Sequence, residues 1–215
     1  MFTTITKSVF AVTTFSLLSF GSLGISDRAY AIGINLTTFT VGGDATLNSP
    51  TQATIRSGNN PPTLITGGGA GSLESFLGLT GGAFETLFPN NTFGSAIKKS
   101  VPGTIGDVLT FDFNFTQDIS NTPNGLDKAF VTIDTDVFSL ANATANSTYT
   151  YTFTTTGSVN LGIGVLDIDD STGTSTLVVT NANAAPVPFE FEASGGLLML
   201  GGFFLGKRYL RNKKH

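Results

Sequence analysis

TFDFNFT, residues 110–116, places Phe111, Phe113 and Phe115 alternately with Asp112, Asn114 and Thr116. A strict period of two puts one residue set on each face of an extended strand, so this segment reads as a β-strand with an apolar face and a wet face. The pattern recurs on both sides of it. Tyr149, Tyr151 and Phe153 alternate with Thr148, Thr150, Thr152 and Thr154, and Val159, Leu161, Ile163 and Val165 alternate with Asn160, Gly162 and Gly164. STLVV at 175–179 predicts a further strand. Ala129 to Asp134 predicts another, entered from the turn TPNGLD, where Asn124-Gly125 supplies positive φ cheaply. Turn signals at this spacing predict a β-sandwich over 32–185.

Composition agrees. Gly (26), Phe (19) and abundant Thr, with only 12% charged residues, favour pleated, half-buried surfaces. A chain of 215 residues accommodates one domain plus targeting segments. There is no cysteine, which excludes disulfides, a thiol nucleophile and thiolate metal sites.

One stretch departs from the strand pattern. Leu73, Phe76 and Leu77 fall at i, i+3 and i+4, and so do Phe84, Leu87 and Phe88. This spacing predicts two short helices, the first capped by Ser72 and the second stopped by Pro89. They follow the loop TGGGAG at 66–71 and are expected to cap one end of the sandwich.

Charge is distributed unevenly. Lys207, Arg208, Arg211, Lys213 and Lys214 crowd the last nine residues, while 32–189 holds four cations against twelve acids, a balance of −8. Such a surface repels phosphate backbones, so no nucleic-acid partner is expected.

The two ends read as addresses. Lys7, the apolar run SVFAVTTFSLLSFGSLGI and small residues at Ala29 and Ala31 form a secretory signal pattern over 1–31, with signal peptidase cleaving after Ala31. At the other end, residues 186–215 carry VPFEF, then the uncharged stretch Gly195 to Gly206, then the five cations. Twelve helical residues span about 18 Å, short of the ~30 Å hydrocarbon core. Snorkelling of Lys207 and Arg208 extends a short transmembrane helix over about 194–210, and the cations hold their end on the cytoplasmic side.

This tail resembles the PEP-CTERM sorting signal, with Val187, Pro188, Phe189 and Glu190 at the Pro-Glu-Pro position. Phe189 stands where the usual motif has Glu. The resemblance implies an exosortase-type processing enzyme as partner, transient membrane residence with the domain outside, cutting near the motif, and delivery to the cell envelope or extracellular matrix. A permanent anchor is the competing reading. Residues 71–183 also resemble a domain found attached to such tails, through GSLESFLGL, FGSAIKKSV, GDVLTFDFNF, KAFVTI, YTYTFTTTGSVNLGIGVLDIDD and STLVVTN. That resemblance implies a jelly-roll-like β-sandwich related in shape to carbohydrate-binding modules. The expected fold is therefore all-β, a jelly-roll-like sandwich with two short helices, flanked by the signal helix and the C-terminal apolar helix.

Catalytic residues are not predicted. The single histidine is His215, so no Ser-His-Asp arrangement can be built in the domain. TGGGAG lacks the GK[ST] ending of a phosphate loop. Paired carboxylates, as in a glycan hydrolase, remain the least favoured alternative. Two acidic clusters are candidate metal ligands: Asp134 with Asp136, and Asp167 with Asp169 and Asp170. Alternate Asp residues on a strand point to one side, and a hard cation such as Ca²⁺ takes six to eight oxygens. DIDDSTGTS, at 167–175, suits a solvated turn equally and lacks the terminal Glu of an EF-hand loop. No other cofactor is implied. Tyr149 and Tyr151 are expected in the core, and the threonines opposite them form a polar face able to contact polysaccharide. The functional expectation is a non-enzymatic display or adhesion protein, with a Ca²⁺-assisted carbohydrate-binding module as alternative.

Overall fold

The 110–116 strand is the middle of one sheet. In the computed structural model, which describes residues 31–58, 63–119, 126–168 and 173–186, it belongs to β7 (Val108–Thr116), whose odd residues are buried and whose even residues face outward. The other strands are β1 (Ile32–Gly33), β2 (Thr40–Gly42), β3 (Ala45–Ser49), β4 (Gln52–Arg56), β5 (Leu64–Ile65), β6 (Asn91–Gly103), β8 (Lys128–Ile133), β9 (Asp136–Ala141), β10 (Ala145–Thr152), β11 (Gly157–Ile168) and β12 (Thr176–Ala185). They form two six-stranded antiparallel sheets, one ordered β10-β7-β12-β4-β3 with β1 on β12, the other β2-β6-β11-β8-β9 with β5 on β6.

Strand order makes this a jelly roll. Beginning the count at β4 and passing over the short β5, the first sheet holds the sixth, third, eighth and first strands in that spatial order. The second holds the second, seventh, fourth and fifth. Successive strands cross between two antiparallel sheets in the nested Greek-key order of an eight-stranded jelly roll. The main core lies between the sheets, where Phe111, Phe113 and Phe115 of β7 meet Ile97, Val131, Leu161, Ile163 and Val165 of the second sheet and Leu177 and Val179 of β12.

A second core lies outside the sandwich. The helix α1 (Leu73–Leu77) starts at Ser72, whose Oγ accepts from Ser75 N at 3.2 Å, and ends at Gly78 with φ 81°. Leu73, Leu77, Leu79, Phe84 and Phe88 pack onto Ala96, Phe130 and Leu166, on the outer face of the second sheet. The cap thus covers a sheet face rather than an end of the sandwich, correcting the expectation from sequence. The reason is visible in β11. Gly162 and Gly164 leave that face flat, and a Cβ on Gly162 would come within 2.6 Å of Leu77 Cδ2.

The second expected helix is not one. Residues 80–88 make successive i→i+3 turns, Ala83 N to Thr80 O, Glu85 N to Gly82 O and Leu87 N to Phe84 O, with one i→i+4 bond, Phe88 N to Phe84 O at 2.7 Å. Between Gly82, at φ 78°, and Pro89 too few residues remain to offset the cost of nucleating a helix. The apolar spacing still seats Phe84 and Phe88, with Phe84 edge-on to Phe130 at 4.8 Å between ring centroids. Among the described residues no helix is long and apolar enough to cross a membrane. The expected signal segment before Ala31, Val187 to Glu190, the apolar stretch, the five terminal cations and the expected turn at Asn124-Gly125 lie outside the described residues.

Candidate functional site

The helical cap covers one sheet and leaves the other open. On that open face, β7 contributes Thr110, Asp112, Asn114 and Thr116, and β10 contributes Asn146, Thr148, Thr150 and Thr152. Register aligns them in rows across the sheet: Thr148, Asp112, Thr180 and Gln52 form one, and Asn146, Asn114, Val178, Thr54 and Thr46 form the next. Strand geometry spaces such side chains by about 4.8 Å across the rows and about 6.7 Å along each strand.

Asp112 is the charged centre of this grid. It accepts from Thr148 Oγ1 at 2.6 Å and from Asn181 Nδ2 at 3.0 Å. Asn181 reaches it because β12 slips register between Thr180 and Asn183, where Asn181 adopts φ 54° and leaves the regular alternation. The Thr148 hydroxyl first, and Asn181 second, hold the Asp112 carboxyl below its ordinary range, with the small desolvation acting the other way. Arg56 at the edge of the face lies 3.7 Å from Asp44. The face therefore offers hydroxyl, amide and carboxylate groups in a fixed array.

The tyrosines of β10 point the other way. Tyr149 stacks on Phe111 at 5.1 Å and Tyr151 meets Phe153 edge-on at 5.5 Å, both packed against the main core as their alternation predicts. They are not platforms for a sugar ring. Among the described residues Phe138, on β9 of the other sheet, is the one exposed aromatic, at 40%.

Among the described residues, Asp134 and Asp136 are not brought together with Asp167. Asp134 has φ 52° in the β8–β9 turn, where its Oδ1 accepts from Asn160 N at 2.8 Å, and Asp136 is exposed at the start of β9. Asp167 lies near the far end of β11 and is 3% exposed. Pairing of Ile133 with Leu161 and of Lys128 with Leu166 puts Asp134 and Asp167 at opposite ends of the β8–β11 ladder, about 20 Å apart. Asp169 and Asp170 lie outside the described residues. Among the described residues no three His, Cys, Asp or Glu side chains converge as a metal site.

Two buried acids escaped the sequence reading. Asp127, 6% exposed, accepts from Ser57 Oγ at 2.5 Å, Ser175 N at 3.3 Å and Ile168 N at 3.4 Å. Glu74, fully buried on α1, accepts from Gly67 N at 2.8 Å. Asp127 has no signal in sequence because its partners are 41 to 70 residues away. Glu74 occupies a helical position between Leu73 and Phe76, where a polar residue reads as solvent-facing.

No protein-family model matches the chain, and no curated protein matches it either. Among solved structures, TmCBM61 in complex with β-1,4-galactotriose is similar at a TM-score of 0.37 and 10% identity, over 73% of this chain and 97% of that one. The family 11 carbohydrate-binding module of the cellulosomal cellulase Lic26A-Cel5E of Clostridium thermocellum is similar at 0.34 and 9% identity, over 74% and 96%. The fold follows from the strand order of this chain, independently of these neighbours.

Proposed function

We propose that the chain is an exported, non-enzymatic component of the cell envelope or extracellular matrix, carried by its signal segment and PEP-CTERM-like tail, whose jelly roll contacts polysaccharide. The observation that supports the ligand class is the open face centred on Asp112. Its rows of Thr, Asn and Gln side chains present donors and acceptors at the fixed intervals of the pleat, which suit hydroxyls distributed along a polysaccharide lying across the strands. A carboxylate in such an array accepts sugar hydroxyls without needing a base or nucleophile. With Tyr149 and Tyr151 turned inward, recognition rests on hydrogen bonds rather than stacking, and weak, avid display on a surface suits that chemistry.

Retention of the full-length chain on immobilised neutral and acidic polysaccharides tests this. Binding is expected, and Asp112→Ala with Asn114→Ala should weaken it at least tenfold. No retention on any polysaccharide, or retention indifferent to these substitutions, would sink the reading. Processing is tested by intact mass of the protein recovered from its native cells: a form beginning at Ile32 and ending near Phe189 supports sorting, and a retained His215 marks a permanent anchor.

A further inference from the structure

The cap holds a second polar constellation, far from the open face. Glu74 has no exposed surface; its Oε1 takes the Gly67 N–H, while its Oε2 is enclosed with no hydrogen-bond partner. A buried carboxylate oxygen in this condition is strongly unfavourable unless something compensates it. Asn91, at the start of β6, repeats the pattern: its Nδ2 donates to Phe88 O at 2.6 Å, and its Oδ1 is enclosed without a partner. The two are linked through consecutive loop residues, since Thr66 Oγ1 donates to Asn91 O at 2.9 Å and Gly67 donates to Glu74.

A second carboxylate borders the same loop. Glu85 lies beside Gly67 and Gly82; Cβ atoms at those glycines would be 3.9 Å from its Oε1 and 3.3 Å from its Oε2. Gly67, Gly68 and Gly69 all have φ near +90°, which lets the loop fold tightly over Glu74, with Gly68 against Gly81. Among the described residues neither Glu74 nor Glu85 forms an ion pair. Two carboxylates thus border one glycine loop, Asn91 is tied to the same loop through its backbone carbonyl, and among the described residues no donor side chain answers Glu74 Oε2 or Asn91 Oδ1.

We infer that Glu74, Glu85 and Asn91 hold a hard divalent cation, Ca²⁺ by the chemistry of the donors, that fastens the 66–71 loop and the 80–88 turns to β6. Two carboxylates and an amide oxygen supply up to five oxygens, and water completes the six to eight that Ca²⁺ takes. An all-oxygen set without thiolate or imidazole selects Ca²⁺ over the softer transition metals. The site is structural and lies at the opposite end of the β8–β11 ladder from Asp134 and Asp136.

The test titrates the full-length chain, solubilised in mild detergent and stripped with chelator, with Ca²⁺ alone, following heat and melting temperature. A dissociation constant of about 10⁻⁴ to 10⁻³ M or tighter is expected, as for modules outside the cytosol. Glu85→Gln, at an exposed position, and Glu74→Gln, which keeps an acceptor for Gly67, should each weaken binding at least tenfold. In chelator, Glu74→Gln should melt no lower than the parent, because it removes a buried charge. Asp136→Asn should leave Ca²⁺ binding unchanged. No heat and no melting shift on adding Ca²⁺ overturns the inference. Binding that survives both glutamate substitutions, or that is lost in Asp136→Asn, overturns it as well by placing the ion elsewhere. If Glu74→Gln fails to fold, Glu85→Gln decides.

Discussion

Ser57 Oγ donates to Asp127 Oδ2 at 2.5 Å, tying together residues 70 apart in the chain at the buried end of the sandwich. Ser57 follows β4 in the first sheet and Asp127 precedes β8 in the second, so the bond is a latch between sheets. Ser175 N reaches both partners, at 2.9 Å and 3.3 Å, and Gln117 Nε2 holds the Asp127 carbonyl at 2.7 Å.

Removing the carboxylate should therefore cost more than removing the hydroxyl. Asp127→Ala strands the Ser57 hydroxyl and the Ile168 N–H at once and leaves Ser175 N–H with Ser57 Oγ alone, and is expected to lower unfolding free energy by about 3 kcal/mol, against about 1 kcal/mol for Ser57→Ala. Urea unfolding of the full-length chain measures both. Equal losses for the two would show that Asp127 does not organise the cluster.

The glycines beneath the cap make a second, graded prediction. A Cβ on Gly164 would collide with the Ser95 carbonyl and the Phe130 ring, the former being backbone paired in the β6–β11 ladder. On Gly162 it would meet Thr132 Oγ1 and Leu77 Cδ2, both side chains able to shift. Overpacking costs about 1–3 kcal/mol, so Gly164→Ala should fall at the upper end and Gly162→Ala at the lower. The same urea curves check the order; a reversed order would mean that the cap, and not the sheet, is the rigid partner.

These glycines also mark where the sequence stops being legible. Strands with one face in the core and one in water, β7 and β10 above all, announce themselves by alternation, because burial and exposure act on successive residues. The second sheet does not. β6 is buried on both faces for much of its length, so Gly94, Ser95, Ala96 and Ile97 lack a period. Lys98 also sits inside it, with its ammonium 4.6 Å from the Phe76 ring centre and bonded to the Phe76 carbonyl. On β11, Gly162 and Gly164 read as a blank face when they are the floor of a second core. The open face could be read from the threonines of β10, but Asn181 could not, since its approach to Asp112 depends on a bulge in β12. Asp127 and Glu74 are defined by partners that only the fold assembles.

Asp112 should titrate below the ordinary aspartate value, and Thr148→Val should bring it back up, because the Thr148 hydroxyl is the larger cause. A depressed folded-state pKa contributes stability that is present above the unfolded pKa and is lost as pH falls through the lowered value. The loss is therefore confined to pH below about 4. Carbonyl-carbon NMR of Asp112 against pH reads this directly. An unchanged midpoint in Thr148→Val would remove Thr148 as its cause.

The alkaline limit falls to Tyr149. Burial against Phe111, and secondarily the neighbouring Tyr151, raise its phenol above the ordinary tyrosine value. A phenol whose folded pKa is raised resists ionisation in the native state, so its contribution to stability is complete below the unfolded pKa. As pH climbs from the unfolded value toward the raised folded one, the unfolded chain ionises first and that contribution is lost. Stability should thus decline above about pH 10, where free tyrosine ionises. Tyr149→Phe removes this titration while keeping the ring on Phe111. The variant should match the parent near neutral pH within the small cost of the lost hydroxyl, and lose less stability at alkaline pH. Urea unfolding at a series of pH values, with tyrosinate absorbance followed in parallel, gives both curves. If they fall in parallel above pH 10, the Tyr149 hydroxyl is hydrated in solution and the stack on Phe111 does not shield it.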